Sequence, residues 1–125
     1  MAGKFVVKEM KSGWRFNLVA SNGQVIATSE SYSGKEACLK GVESVRKNCA
    51  VHVEDQTKPD FETLPHPKYE VHKDKAGEFR FRLKARNGEI IATGEGYKAK
   101  TSCLNGIDSI GRHAPDAGLE EIPAE

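Results

Sequence analysis

Hydrophobic residues take every second position from Trp14 to Ala20, so that Trp14, Phe16, Leu18 and Ala20 share one side. A shorter apolar run, Phe5-Val6-Val7, precedes them across a Ser12-Gly13 turn signal. Alternation of this kind marks a half-buried strand. Asn22-Gly23 follows directly, and an Asn-Gly pair between alternating hydrophobics predicts a hairpin, because both central residues of a type I′ turn need positive φ. A third strand is predicted over 24–28. At Ser33 the period changes. Ser33-x-x-Glu36 reads as a capping box, and Cys38, Gly41, Val42, Val45 and Cys49 then recur at helical spacing on one stripe. A fourth strand is predicted over 50–54.

The chain then repeats itself. Arg15-Phe16-x-Leu18-x-Ala20-x-Asn22-Gly23-x-x-Ile26-Ala27-Thr28-x-Glu30-x-Tyr32-x-x-Lys35-x-x-Cys38-Leu39-x-Gly41-x-x-Ser44 recurs as Arg80-Phe81-x-Leu83-x-Ala85-x-Asn87-Gly88-x-x-Ile91-Ala92-Thr93-x-Glu95-x-Tyr97-x-x-Lys100-x-x-Cys103-Leu104-x-Gly106-x-x-Ser109. The second helix carries Cys103, Gly106, Ile107, Ile110 and Ala114 on the matching stripe. Lys98 and Thr101 replace the capping-box residues there, so this helix is expected to fray more readily. Pro115 forces its exit.

Duplication predicts an α+β fold of two tandem β-β-β-α-β repeats, residues 1–57 and 68–125, joined by a Pro-rich linker over 58–67. Each half is small for a core of its own, so the two are expected to share one. One amphipathic helix per half gives two helices on one face of an antiparallel sheet, with the halves joined edge to edge to hide exposed strand edges. This arrangement is a monomer with internal pseudo-twofold symmetry.

Composition narrows the class. Of the 125 residues, 38% are hydrophobic and 30% charged, with a formal net charge of +1. That balance suits a globular chain and supplies no overall field toward nucleic acid or an anionic membrane. No apolar run approaches the ~20 residues of a membrane span, and the N-terminus is not a secretory signal. Three cysteines without export signals are expected as thiols in the cytoplasm.

The repeated string, ending in Cys-Leu-x-Gly-Ile/Val-x-Ser, resembles the YegP-like family of small bacterial proteins, which occur as single units or tandem pairs. The resemblance covers both halves and omits only the linker. It implies that the final strands are exchanged between units to make one continuous sheet. It implies no site, since the family carries no assigned activity or binding residues. One departure bears on the length of the second exchanged strand: residues 113–122 lack the alternating valines of 50–54.

Few residues suggest chemistry. Cys38 and Cys103 lie on the buried stripes and read as small core hydrophobes; Cys49, in an unrepeated helix tail, is expected to be more exposed. Glu30 with Tyr32, and Glu95 with Tyr97, read as clasps fixing helix to sheet rather than as an acid/base group. The helix starts, with Lys35 and Lys100 nearby, form a possible anion site. His52, His66, His72 and His113 show no metal-ligand spacing, and the chain has no phosphate-cradling Gly-rich loop, dinucleotide fingerprint or nucleophile elbow. No catalytic residue, metal or cofactor is therefore expected, and the protein reads as a non-enzyme.

The sheet face away from the helices remains. Arg80, Arg82, Lys84 and Arg86 alternate with core residues and are expected to form a basic stripe there, with Arg15 in the first half. Trp14, Phe16, Phe79 and Phe81 have the opposite parity, so no aromatic platform for bases accompanies the stripe. The expected role is an interaction or accessory module using this open face, with an unknown protein partner. Weak RNA or single-stranded DNA binding through Arg80–Arg86 is the alternative.

Overall fold

A computed structural model describes residues 3–122 of the chain. The first half contains β1 (Lys4–Met10), β2 (Gly13–Val19), β3 (Val25–Thr28), α1 (Lys35–Asn48) and β4 (Val53–Asp55). The second contains β5 (Lys68–Lys73), β6 (Phe79–Lys84), β7 (Ile90–Thr93), α2 (Lys100–His113), one 3₁₀ turn (Ala114–Asp116) and β8 (Gly118–Ile122). Neither helix is long and apolar enough to cross a membrane.

All eight strands form one sheet in the order β4-β5-β6-β7-β3-β2-β1-β8. The halves meet at β3 and β7, which pair antiparallel through Thr28 and Thr93. Each last strand leaves its own half and flanks the first strand of the other: β4 lies beside β5 and β8 beside β1. From β3 to β4, and from β7 to β8, the chain crosses four strand positions, with a 14-residue helix in each connection; α1 packs on β1, β2 and β7, and α2 on β6 and β3. The sheet is therefore mixed rather than wholly antiparallel. The helical crossover returns the chain in the direction of its new neighbour, so both edge pairings are parallel.

One core lies between sheet and helices. Phe5, Phe16 and Leu18 from the first half and Tyr69, Phe81 and Leu83 from the second are at most 1% exposed, packed under Cys38, Val42 and Val45 of α1 and Cys103, Ile107 and Ile110 of α2. Phe5 meets Phe16 edge-on with ring centroids 5.8 Å apart, as Tyr69 meets Phe81 at 6.1 Å. The Tyr69 hydroxyl donates to the Cys49 carbonyl at 2.9 Å, tying the second half's first strand to the end of the first half's helix.

Several local expectations change. Neither Asn22 nor Asn87 has positive φ, so the hairpins are not type I′. Each is a three-residue loop in which only the glycine is left-handed, Gly23 at φ 88° and Gly88 at φ 84°. The Asn side chain instead accepts from the amide two residues on, Gln24 or Glu89, at 3.0 Å in both cases. A register shift follows in each half, between Leu18 and Val19 and between Leu83 and Lys84. The capping box at Ser33 does not form: α1 starts after Gly34 and α2 after Ala99, both without a side-chain cap. Cys49 is 5% exposed, because it caps α1 inside the shared core. The second exchanged strand is the longer, five residues against three, and all five pair with β1 although they lack the alternating valines of the first.

Candidate functional site

The face away from the helices differs between the two halves. On the second, β5 and β6 place Glu70 opposite Arg82 and Lys68 opposite Lys84, with Glu54 of β4 beside Glu70. Lys68 is 4% exposed, and its ammonium lies 2.6 Å from Glu54 and 3.2 Å from Glu70. Glu70 also pairs with Arg82 and, at 3.3 Å, with Lys84. Glu54 further accepts from the Gln56 side chain at 2.6 Å and from the Leu64 amide at 2.7 Å. That last bond brings the linker down over the cluster. His52 holds the linker too, at 2.8 Å from the Pro65 carbonyl. Burial alone would raise the Glu54 carboxyl, but hydrogen bonds from Gln56, Lys68 and Leu64, with the charge of Lys68, hold it down to about 2.

Little of the predicted basic stripe is therefore free. Arg80 pairs with Asp74 at 2.6 Å, and Arg82 and Lys84 share Glu70. Arg86 does not belong to the stripe. β6 ends at Lys84, and Arg86 sits in the hairpin turn, lining a cleft with Lys40 and Lys47 of α1. The strand ends before Arg86, and the tight turn breaks the alternation on which its placement rested.

On the first half the face is nearly bare of acids. Val6 stands where the second half has Glu70, and Met10 where it has Asp74, so two of the acids that neutralise the second half are missing, and Glu120, the counterpart of Glu54, is taken by Lys4. Lys8 and Arg15 lie directly opposite one another across β1 and β2. Among the described residues neither has a carboxylate within 4.0 Å. Like charges in register repel. Beside them lie Val6, half-buried, and Met10, exposed at 41%; farther along the same face, past Asn17, are half-buried Val19 and Val25, exposed at 38%.

Lys35 and Lys100 are the first residues of their helices, and each already holds an acid of an exchanged strand. Lys35 is 2.5 Å from Glu121 of β8, and Lys100 is 2.8 Å from Asp55 of β4. Both anion-site lysines thus fasten the exchange. The neighbouring Glu120 pairs with Lys4 at 2.8 Å, as Glu54 does with Lys68. An acidic pair following each helix, Glu54-Asp55 and Glu120-Glu121, was the sequence signal for these four contacts.

Tyr32 and Tyr97 bridge backbone to backbone with Trp14 and Phe79. Their rings stack on Phe16 and Phe81 with centroids 6.3 and 6.5 Å apart. Glu30 and Glu95 are exposed, and no hydrogen bond joins either to its tyrosine among the described residues. The clasp is therefore made by ring packing and backbone, without the carboxylates. Burial pushes the Cys38 and Cys103 thiols up to about 11 and raises Cys49 as well. All three cysteines are expected to resist alkylation in the native protein and to react once it is unfolded; labelling of native Cys38 at the rate of a free thiol would contradict their core role. Among the described residues no three His, Cys, Asp or Glu side chains cluster as metal ligands.

Comparison with known proteins adds the family context. The model of a family described as a domain of unknown function, DUF1508, matches residues 11–54 and 74–121, one match in each half. A UPF0339 protein encoded in the ptx operon 5′ region of Stutzerimonas stutzeri is 40% identical over 123 residues, covering 98% of both chains. A UPF0339 protein of Treponema denticola is 56% identical over 55 residues, which is 95% of that relative but 44% of this chain. Such a relative has the length of one half. The solution NMR structure of yegP from E. coli, a protein of unknown function, superposes with a TM-score of 0.81 at 31% identity, covering 100% of this chain and 97% of that one.

Proposed function

The chain belongs to the DUF1508 family, as a tandem pair of its units, and from that premise we propose that it acts by binding rather than catalysis, as a cytoplasmic interaction module whose docking surface is the bare face of the first half. One observation carries this reading. Lys8 and Arg15 stand in register without a counter-charge among the described residues, flanked by Val6 and Met10 with Val19 and Val25 farther along the same face, whereas the related face supplies its own acids and is crossed by the linker. Bringing an acidic group to two repelling cations is favourable, and the apolar residues give area to bury. A protein segment with an acidic residue among apolar ones fits this surface. A nucleic acid fits it less well, because the face offers no aromatic side chain for bases to stack on. Unpaired cysteines accord with a reducing compartment.

A photo-crosslinking residue at position 10 or, as a control, at position 72 tests the proposal in cells with Lys8 and Arg15 intact. Position 10 is expected to capture a protein and position 72 none, and Arg15→Glu is expected to abolish the capture. That substitution relieves a like-charge pair, so stability should hold or rise by up to ~1 kcal/mol, and lost capture is not lost folding. Equal capture at both positions, or capture unaffected by Arg15→Glu, would remove this face as the docking surface.

A further inference from the structure

On the helix side, opposite the face just described, α1 and the turn between β6 and β7 enclose a cleft of about 540 Å³. Lys40, Lys47 and Arg86 line it together with Ser44 and Asn87. Lys40, Ser44 and Lys47 fall three and four residues apart and so share one face of the helix; Arg86 reaches the cleft from the other half's hairpin. The one carboxylate in the lining, Glu43, is 3.2 Å from Arg46. Among the described residues the three cations have no carboxylate within 4.0 Å. The end of α1 contributes a partial negative charge of about half a unit, small beside three whole cations.

Internal duplication supplies a control. The positions equivalent to Lys40, Glu43, Lys47 and Arg86 in the other half are Asn105, Asp108, Arg112 and Ser21. That set holds one cation, and Arg112 is paired with Asp108 at 2.9 Å. α2 forms a helix of the same 14 residues without such charge, so the concentration of cations at one of two related places is not required by the architecture. Three converging cations, one of them a planar fork, suit a chain of phosphates better than a single carboxylate. The volume lies in the range of small-molecule sites. A second cleft, of about 780 Å³, shares Lys40, Ser44, Ala85 and Asn87 and continues past Tyr32, Ile90 and Ile91 with Glu30 and Glu89 in its wall, so a ligand held by its phosphates has room there for a remainder that carries no further anion.

We infer that the cleft between α1 and the β6–β7 turn binds the polyphosphate group of a small ligand through Lys40, Lys47 and Arg86. The test is titration of the ¹⁵N-labelled full chain with inorganic tripolyphosphate at constant ionic strength, and separately with a nucleoside triphosphate. Saturable amide shifts are expected at residues 40–48 and 85–87, with none at residues 105–113 or 20–22. The variant K47Q/R86Q, altered only at exposed side chains, is expected to bind about tenfold more weakly or worse. Equal affinity for the two probes assigns the site to the phosphate chain alone. Tighter nucleoside triphosphate binding, with added shifts at Tyr32 and Ile91, assigns the adjoining cleft to the remainder of the ligand. Shifts that never saturate, that appear equally in both halves, or that persist unchanged in K47Q/R86Q overturn the inference.

Discussion

Lys68→Met is expected to destabilise the protein by about 3–5 kcal/mol, because it leaves Glu54 and Glu70 facing each other, 2% and 4% exposed, with their common cation gone. The duplicated fold provides the matched comparison. Lys4 occupies the equivalent place in the first half and pairs with Glu120, but both side chains are about half exposed, so Lys4→Met is expected to cost only about 0–1 kcal/mol. Urea denaturation of both variants at neutral pH reads the difference. Similar small losses would mean that Glu54 and Glu70 take up protons or water without penalty, and the cluster would not be a buried charge network.

The same cluster sets the response to acid. Glu54 titrates at about 2 in the folded protein against 4.5 unfolded. Glu70 and Asp55 are likewise lowered: burial pushes both up, and the hydrogen bonds from Arg82 and Lys68 to Glu70, and from Lys100 and Thr57 to Asp55, outweigh it. Groups whose folded value is depressed contribute stability that is complete above the unfolded value and is lost as pH falls toward the folded one. Stability is therefore expected to fall from about pH 4.5 toward pH 2. For Lys68 the sign is opposite. Burial lowers it, but bonds to Glu54 and Glu70 raise it overall, so its contribution persists through 10.5 and is lost only as pH rises through its higher folded value. Glu54→Gln should flatten the acid limb as well as lower stability at neutral pH.

Gly106→Ala is expected to lower stability by about 1–2 kcal/mol, although alanine is the better helix former by about 1 kcal/mol. A Cβ at this position would lie 2.6 Å from the Tyr97 hydroxyl and 3.2 Å from both the Tyr97 Cζ and the Phe81 Cε2. Tyr97 cannot swing away freely, because its ring stacks on Phe81 and its backbone is bonded to Phe79 in both directions at 2.7 and 2.8 Å. At Gly41 the fit is tighter still, with Tyr32 Cζ at 2.8 Å and Phe16 Cε2 at 3.0 Å, and Gly41→Ala should cost more. Adding Tyr97→Phe to Gly106→Ala removes the nearest atom and is expected to restore most of the loss. A melting temperature raised by Gly106→Ala would show that helix propensity outweighs the contact.

Much of this was legible along the chain. Period-two alternation placed β2 and β6, and helical spacing identified the buried faces of α1 and α2, because both are local properties of side-chain direction. Hairpin positions followed from Asn22-Gly23 and Asn87-Gly88, but the turn type did not. The asparagines stay at negative φ with side chains that accept from the amides of Gln24 and Glu89, just before the next strand, and the turn they form carries Arg86 off the sheet face.

By itself, then, the sequence determined two β-β-β-α-β units, their internal faces, their kinship and their common core. Only the tertiary structure decided which charges matter. Lys35 and Lys100 could be recognised as lysines at helix starts, yet their partners Glu121 and Asp55 lie 86 and 45 residues away and arrive only because β8 and β4 are exchanged between the halves. Arg80, Arg82 and Lys84 look free until β5 and its neighbours bring Asp74 and Glu70 alongside. Periodicity reports which way a side chain faces, whereas electrostatic pairing depends on which distant segments become neighbours, and that is settled when the strands exchange.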